Sequence, residues 1–365
     1  MEECIIKSVI SGMDVHERTI KVCTAAHDGA TEVKTFANTE EGRAALIRYL
    51  QSLAKKYGCG KIETAYEACM LGFELHDALS DAGIVNHVLA PSLMRKSRKD
   101  VKRKTDEADA RMIFETLRGH LLAGNELPAV WIPPPELRED REVVRARLEV
   151  GNKVTQIKTQ IQMLLKKHGV RKPAGLGDSW TMLHRKWLHG LLTCGGPALP
   201  PGGKVVLSSL LRQLAMLEKE IQTLDEAVEA LSHKPRYQVA CQALVKQIKG
   251  VGLLTAMVFL TEIGDLNRFG NRRKLGAFLG LAPTSNESGE VTDRKGHITR
   301  SGTSRVRWVL CQASWVRLQH DEAESAVFER IRKGAKKLTR VAQTACMRRL
   351  AILMWHTAKD AAAAA

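Results

Sequence analysis

Apolar and polar positions change period along the chain. Within residues 4–130, short apolar runs alternate with segments of helical spacing. Ile5–Met13, Thr19–Ala26 and Glu32–Ala37 read as three successive strands, with turns at His16-Glu17 and Asp28-Gly29. Glu41–Lys56 places Ala45, Leu46, Tyr49, Leu50 and Leu53 on one stripe, which predicts a helix. KIETAY is a fourth strand, LGFELHDALSDAG a helix stopped by Gly83, and IVNHVLA a fifth strand ended by Pro91. Thr105–Leu117 has helical spacing again.

Three strands followed by helix–strand units is the order of an RNase H-like (RuvC-like) α/β fold. The prolines of WIPPPELRED, Trp131–Asp140, mark a boundary, since a proline run cannot continue a helix. Beyond it the pattern is helical. Val154, Ile157, Ile161 and Leu164 keep a three-four spacing. Leu207, Leu210, Leu214, Leu217, Ile221, Leu224, Val228 and Leu231 keep it without a break, as a coiled-coil seam does. That seam could face the first long helix, another protomer or simply its own domain. Residues 168–205 read as an irregular insertion with a short helix. LVKQIKGVGLLTAMVFLTEIGD reads as helix, G-V-G turn, helix: a helix-hairpin-helix element or an ordinary helical corner. The expected organisation is 1–135, an α/β domain; 136–235, coiled-coil helices; and 236–360, a mainly helical domain. The closing alanines read as an unstructured tail.

Charge narrows the function. The net charge of +16 predicts an anionic partner, most simply nucleic acid. From Arg268 to Arg349 there are 18 Lys and Arg against 7 Asp and Glu, and RKSRKDVKRK forms a second basic run. Solvated faces can carry such runs too, but two dense ones favour phosphate contacts. The candidates are Arg98, Lys99, Lys102, Arg103 and Lys104 in the run, and Lys249, Gly250 and Gly252 at the G-V-G turn, where helix N-terminal amides suit a phosphate. Arg272, Arg273, Lys274, Arg294, Lys295, Arg300 and Arg305 complete the set. The 8 cysteines form no C-x-x-C pair, which argues against a zinc site or disulfide framework and for a reducing cytoplasm. No signal peptide and no apolar run of membrane-spanning length is evident, so no membrane partner is expected.

Carboxylates supply the candidate chemistry. Asp14 ends the first strand, Glu67 ends the fourth, and Asp106 and Asp109 share one helical face in KTDEADA. In an RNase H-like sheet the first and fourth strands are neighbours, so Asp14 and Glu67 could converge. Clustered carboxylates need a counter-charge, and hard oxygen donors point to Mg²⁺ or Mn²⁺. Each acid also has a plain reading: a turn residue for Asp14, a solvated strand end for Glu67 with Glu63 as a rival, and first-turn acids behind a Thr105 cap. Ser288 in the polar loop is one of several serines, with Ser285, Ser301 and Ser304 nearby.

GMDVHERTIKV, YEAC and KTDEADA, together with IKGVGLLTAMVFLTEIGDLNRFGNRRKLGAFLGLAP, ESG and GHITRSGTSRVRWVL, resemble the DEDD transposases of insertion-sequence family one-hundred-and-ten. The resemblance covers nearly the whole chain, least well over 168–205. It implies a RuvC-like domain, a coiled-coil linker and a transposase domain. It also implies donor and target DNA as substrates, a structured bridge RNA as guide, and a homo-oligomer, dimer or tetramer, with shared active sites. By that resemblance Asp14, Glu67, Asp106 and Asp109 are the metal-binding acids. Ser288, in Glu-Ser-Gly where the family often has Ser-Ser-Gly, is the nucleophile that forms a phosphoserine intermediate. The rival expectations are a metal-dependent nuclease or junction resolvase that uses water, and a non-catalytic nucleic-acid-binding protein.

Overall fold

Strand β1 (Ser8–Val15) is apolar on both faces, the pattern of a strand covered on two sides. It lies at the centre of a five-stranded sheet with β2 (Thr19–Ala26), β3 (Glu32–Ala37), β4 (Lys61–Glu67) and β5 (Val85–Leu89), in the order β3-β2-β1-β4-β5. The β1/β2 and β2/β3 pairs are antiparallel, while β1/β4 and β4/β5 are parallel. Helices α1 (Glu40–Tyr57) and α2 (Glu74–Asp81) cover one face, where Leu46, Leu50, Leu75 and Leu79 pack on Val9, Met13, Ile20 and Tyr66. Helix α3 (Asp106–Ala123) covers the other, where Ala110, Ile113, Phe114 and Leu117 pack on Ile10, Cys23, Ala65 and Leu89. This is the RNase H-like architecture that the order of elements predicts.

The computed structural model describes residues 8–26, 29–94, 105–193, 199–285 and 295–364. The chain divides into two compact units, Met1–Ile132 and Pro133–Ala365. One boundary within the first changes the reading of a site residue. Sequence pattern stops β1 at Met13, but the strand runs on to Val15, because Asp14 and Val15 pair with Lys21 and Ile20. Asp14 therefore sits inside the ladder and is not turn punctuation.

In the second unit, Pro135 occupies the first turn of helix α4 (Pro135–Lys167), where its missing N–H costs nothing. The short helix α5 (Met182–Gly190) interrupts the irregular stretch, and α6 (Pro201–Ser232) follows. The leucine seam of α6 faces α4 of the same chain: Leu207, Leu210 and Leu214 pack with Val154, Ile157 and Ile161. Then come α7 (Pro235–Gln247), α8 (Leu253–Ile263) and α9 (Arg272–Phe278), followed by a hairpin of β6 (Pro283–Ser285) and β7 (Lys295–Ile298). Helices α10 (Ser304–His320), α11 (Glu322–Arg332) and α12 (Thr339–Ala363) close the chain. Helix α12 continues into the closing alanines, so the expected unstructured tail is helical as far as Ala363. Alanine has the highest helix propensity and keeps the last turns going. Among the described residues, no helix is long and apolar enough to cross a membrane.

Ion pairs tie the helices of this unit together. Arg145 grips the Glu262 carboxylate in a fork (2.7 and 2.9 Å), and Arg141 donates to the Thr261 and Glu262 carbonyls at the end of α8 (2.7 and 2.9 Å). Asp140, only 2% exposed, accepts from Lys234 at 3.0 Å, Arg236 at 2.8 Å and Tyr237 at 2.8 Å. Burial raises its pKa, but these three donors outweigh burial and hold the carboxyl below its ordinary value. The stabilisation is thus present above the unfolded-state pKa and is lost as pH falls through the lower, folded one. Asp140→Asn should destabilise this unit by about 2–3 kcal/mol, toward the low end for a broken buried pair because both cations remain partly hydrated. Urea denaturation at neutral pH checks this, and the gap between variant and parent should close in strong acid.

Candidate active site

Three elements bring the acids to one end of one sheet face. Alternation along β1 puts Asp14 on the same side as Ile10 and Gly12, toward α3. The β1/β4 register has Met13 level with Tyr66, so the next row sets Asp14 beside Glu67, the last residue of β4, on the α3 side. Helix α3 begins at this end. Thr105 caps it by accepting from Ala108 N at 3.2 Å, and Asp106 and Asp109 lie in its first turn.

The helix comes this close because residue 12 is glycine. A Cβ there would lie 2.1 Å from Phe114 N and 2.6 Å from Ala110 O, both backbone atoms of α3. The bare Gly12 backbone lets the helix rest directly on the sheet. Its first turn is thereby delivered one step further on, at Asp14.

His16 joins the acids. Its Nε2 is 2.9 Å from Asp14 Oδ2 and 3.5 Å from Asp106 Oδ1. One ligand atom from each of Asp14, His16 and Asp106 falls within a 4.8 Å group. Glu67 and Asp109 stand at the same end of the sheet but are not members of that group. Burial pushes the Asp14 carboxyl above its ordinary pKa; the hydrogen bond and charge of His16 oppose this, and the negative charges of Asp109 and Asp106 add to it. A cation would relieve that excess of negative charge. The carboxylates at this end of the sheet are oxygen donors that fit a hard divalent ion, and His16 stands beside them as the hydrogen-bond partner of Asp14. Sequence reasoning placed His16 in a turn and missed it; the signal was its place two residues after Asp14.

The second unit holds the remaining candidates. In the turn between α7 and α8, Gly250 has φ +87°, and a Cβ there would lie 2.6 Å from Ala313 O of α10, so this glycine serves helix packing. Lys249 donates to the His320 carbonyl at 3.0 Å, and Gly252, exposed, caps α8. Arg272, Arg273 and Lys274 are exposed in the first turn of α9, where Asn271 Oδ1 accepts from the last two backbone N–H groups. Arg300 is exposed, Lys295 opens β7, and Arg305 lies 3.6 Å from Glu149. Ser288, Arg98, Lys99, Lys102, Arg103, Lys104 and Arg294 lie outside the described residues.

Known proteins share this sequence pattern. A family model of DEDD, IS110-type transposases matches residues 11–169, and one described as "Transposase IS116/IS110/IS902 family" matches 242–329. The first match contains Asp14, Glu67, Asp106 and Asp109. The chain belongs to the IS110-family DEDD transposases. It is accordingly a DNA-cutting recombinase. A protein of Sinorhizobium fredii named as a transposase, y4qE, is 28% identical over 96% of this chain and 88% of its own length. The transposase of insertion sequence element IS1111A from Coxiella burnetii is 24% identical over 85% of this chain and 78% of its own. Among solved structures, Thermus thermophilus RuvC in complex with a Holliday junction overlaps 33% of this chain and 99% of its own, at 13% identity and a TM-score of 0.25. The fold assignment rests on the sheet order, not on that overlap.

Proposed function

We propose that this transposase recombines donor and target DNA under the guidance of a structured RNA, using its acids and Ser288 on one phosphate. The observation that carries the reading is the convergence of Asp14, His16 and Asp106 at the end of the sheet where α3 begins. Asp14, Glu67, Asp106 and Asp109 would hold Mg²⁺ or Mn²⁺, which supplies Lewis-acid stabilisation of charge at a reacting phosphate. Asp14 lies on a central strand and the helical acids on a capped first turn, so the donors need little reorganisation. His16 sets the spacing between Asp14 and Asp106. The Ser288 hydroxyl attacks phosphorus; the serine–phosphate bond forms as the strand's own P–O bond breaks and the leaving oxygen takes a proton. That exchange conserves a phosphodiester for rejoining.

The basic residues of both units would hold DNA and RNA backbones. On this reading a division at 135 and 235 would make the α4–α6 pair a linker between an acid-bearing domain and a serine-bearing one. Acids and serine then come together in a dimer or tetramer.

The test is a denaturation-resistant protein–DNA adduct. The parent protein should form one with element-end DNA, and Ser288→Ala should lose both the adduct and recombination. Cleavage that survives Ser288→Ala would mean water is the nucleophile and the protein is a nuclease or resolvase. Sequencing the nucleic acid that co-purifies with the protein tests the guide: one discrete structured RNA supports it, and random fragments oppose it.

A further inference from the structure

The second unit contains a cavity of about 1530 Å³ walled by α9, β6, β7, α10, α11 and α12. Among the described residues, eight of its lining side chains are Arg or Lys and one, Glu324, is acidic. Glu324 is already engaged, 3.0 Å from Arg349 and 3.9 Å from Arg317. Arg272, Arg300, Arg340 and Arg348 have no acidic partner among the described residues. Among the described residues, the positive charge facing this space is therefore largely uncompensated.

The wall is also apolar and aromatic. Helix α12 buries Ala342, Cys346 and Met354, while Val341, Ala345, Leu350, Ile352 and Leu353 line the cavity with its arginines. Val341 is 56% exposed and Trp315 42% exposed, so apolar and aromatic surface stands open beside the cations. Phe328 holds the Trp315 ring edge-on at 5.8 Å. A duplex presents phosphates and groove edges and hides the flat faces of its bases. A wall that joins cations to an aromatic ring matches a strand whose bases are free to stack. The volume also exceeds the roughly 300–1,000 Å³ typical of a pocket for one small molecule.

We propose that this cavity takes an unpaired stretch of nucleic acid, phosphates on Arg272, Arg300, Arg340 and Arg348 and a base against Trp315. The inference rests on the transposase reading and deepens it: the second unit handles strands that have been opened. Single-stranded DNA and unpaired RNA share the required chemistry, and the experiment separates them.

The experiment uses the full chain with 5-iodouracil-bearing oligonucleotides of about 20 residues, as single-stranded DNA, single-stranded RNA and duplex DNA. Photocrosslinks are mapped by peptide mass spectrometry, and affinities are measured by anisotropy across a salt series. The single strands should crosslink to the peptide holding Trp315, and the duplex should not. The DNA or RNA arm with the stronger crosslink names the source. Arg340→Ala with Arg348→Ala should weaken single-strand binding about tenfold, more than duplex binding, and flatten its salt slope by about 0.7 for each arginine removed. Trp315→Ala should cost about tenfold and Trp315→Phe much less. Crosslinks elsewhere with duplex binding intact would overturn this inference and leave the transposase reading standing. Failure to bind either strand or duplex would overturn both. Protection of Trp315 and Arg340 by a second copy or another protein, with strands bound elsewhere, would also overturn it.

Discussion

Asp14→Asn should lower DNA strand cleavage by at least about 10³-fold while leaving the fold intact. The replacement keeps the size of the side chain and its ability to accept from His16 at 2.9 Å, but removes the charge. Asp14 is the most enclosed of the grouped donors, with a side chain 14% exposed against 52% for His16 and 60% for Asp106. Its carboxylate is thus the least replaceable by water. Charge stabilisation at a reacting phosphate is worth several kcal/mol, and ~4 kcal/mol is ~10³ in rate. The stability cost should be small or even reversed, because burial and the neighbouring acids already disfavour this charge in the folded protein. Cleavage of labelled element-end DNA, measured beside thermal unfolding, separates the two effects. An active Asp14→Asn protein would remove this residue from the chemistry.

Gly12→Ala should be nearly as damaging, by a different route. The added Cβ would stand 2.1 Å from Phe114 N and 2.5 Å from Phe114 Cα. Backbone atoms cannot turn aside as a side chain can, so α3 must move off the sheet. Overpacking of this kind costs about 1–3 kcal/mol, and more where backbone must shift. A displacement near 1 Å in Asp106 and Asp109 relative to Asp14 would lower the rate by about 10². Both losses should appear together: a lower urea midpoint, and weak cleavage even under conditions where the variant is fully folded. Wild-type cleavage by a folded Gly12→Ala protein would show that the acids do not depend on this approach of helix to strand.

Much of this was legible in the sequence, for reasons that differ by element. Strands β2 and β3 have the limits their residues predict, because short polar turns bracket them and alternation is local. The end of β1 was not legible. A charge after an apolar run looks like a turn, and only the pairing of Asp14 with Lys21 keeps it in the sheet. The leucine stripe of α6 announced a helical seam, yet nothing in its spacing named α4 as the partner. The acids could be paired with strands and a helix from their positions alone. His16 could not, since its reach to Asp106 depends on α3 crossing β1 at Gly12. The cavity wall was hidden for a related reason: α12 is apolar on two faces, and a periodicity that covers both gives no direction.

Iron-directed cleavage of the polypeptide tests the central claim most directly. Fe²⁺ bound in place of Mg²⁺ generates hydroxyl radicals with ascorbate and peroxide, and these cut the chain beside the ion. The cuts should cluster near residues 12–16 and 106–109, fade as Mg²⁺ is added, and disappear in Asp14→Asn. Cuts that fall elsewhere, or that ignore both Mg²⁺ and Asp14→Asn, would contradict a divalent-ion site built by Asp14 and the acids beside it.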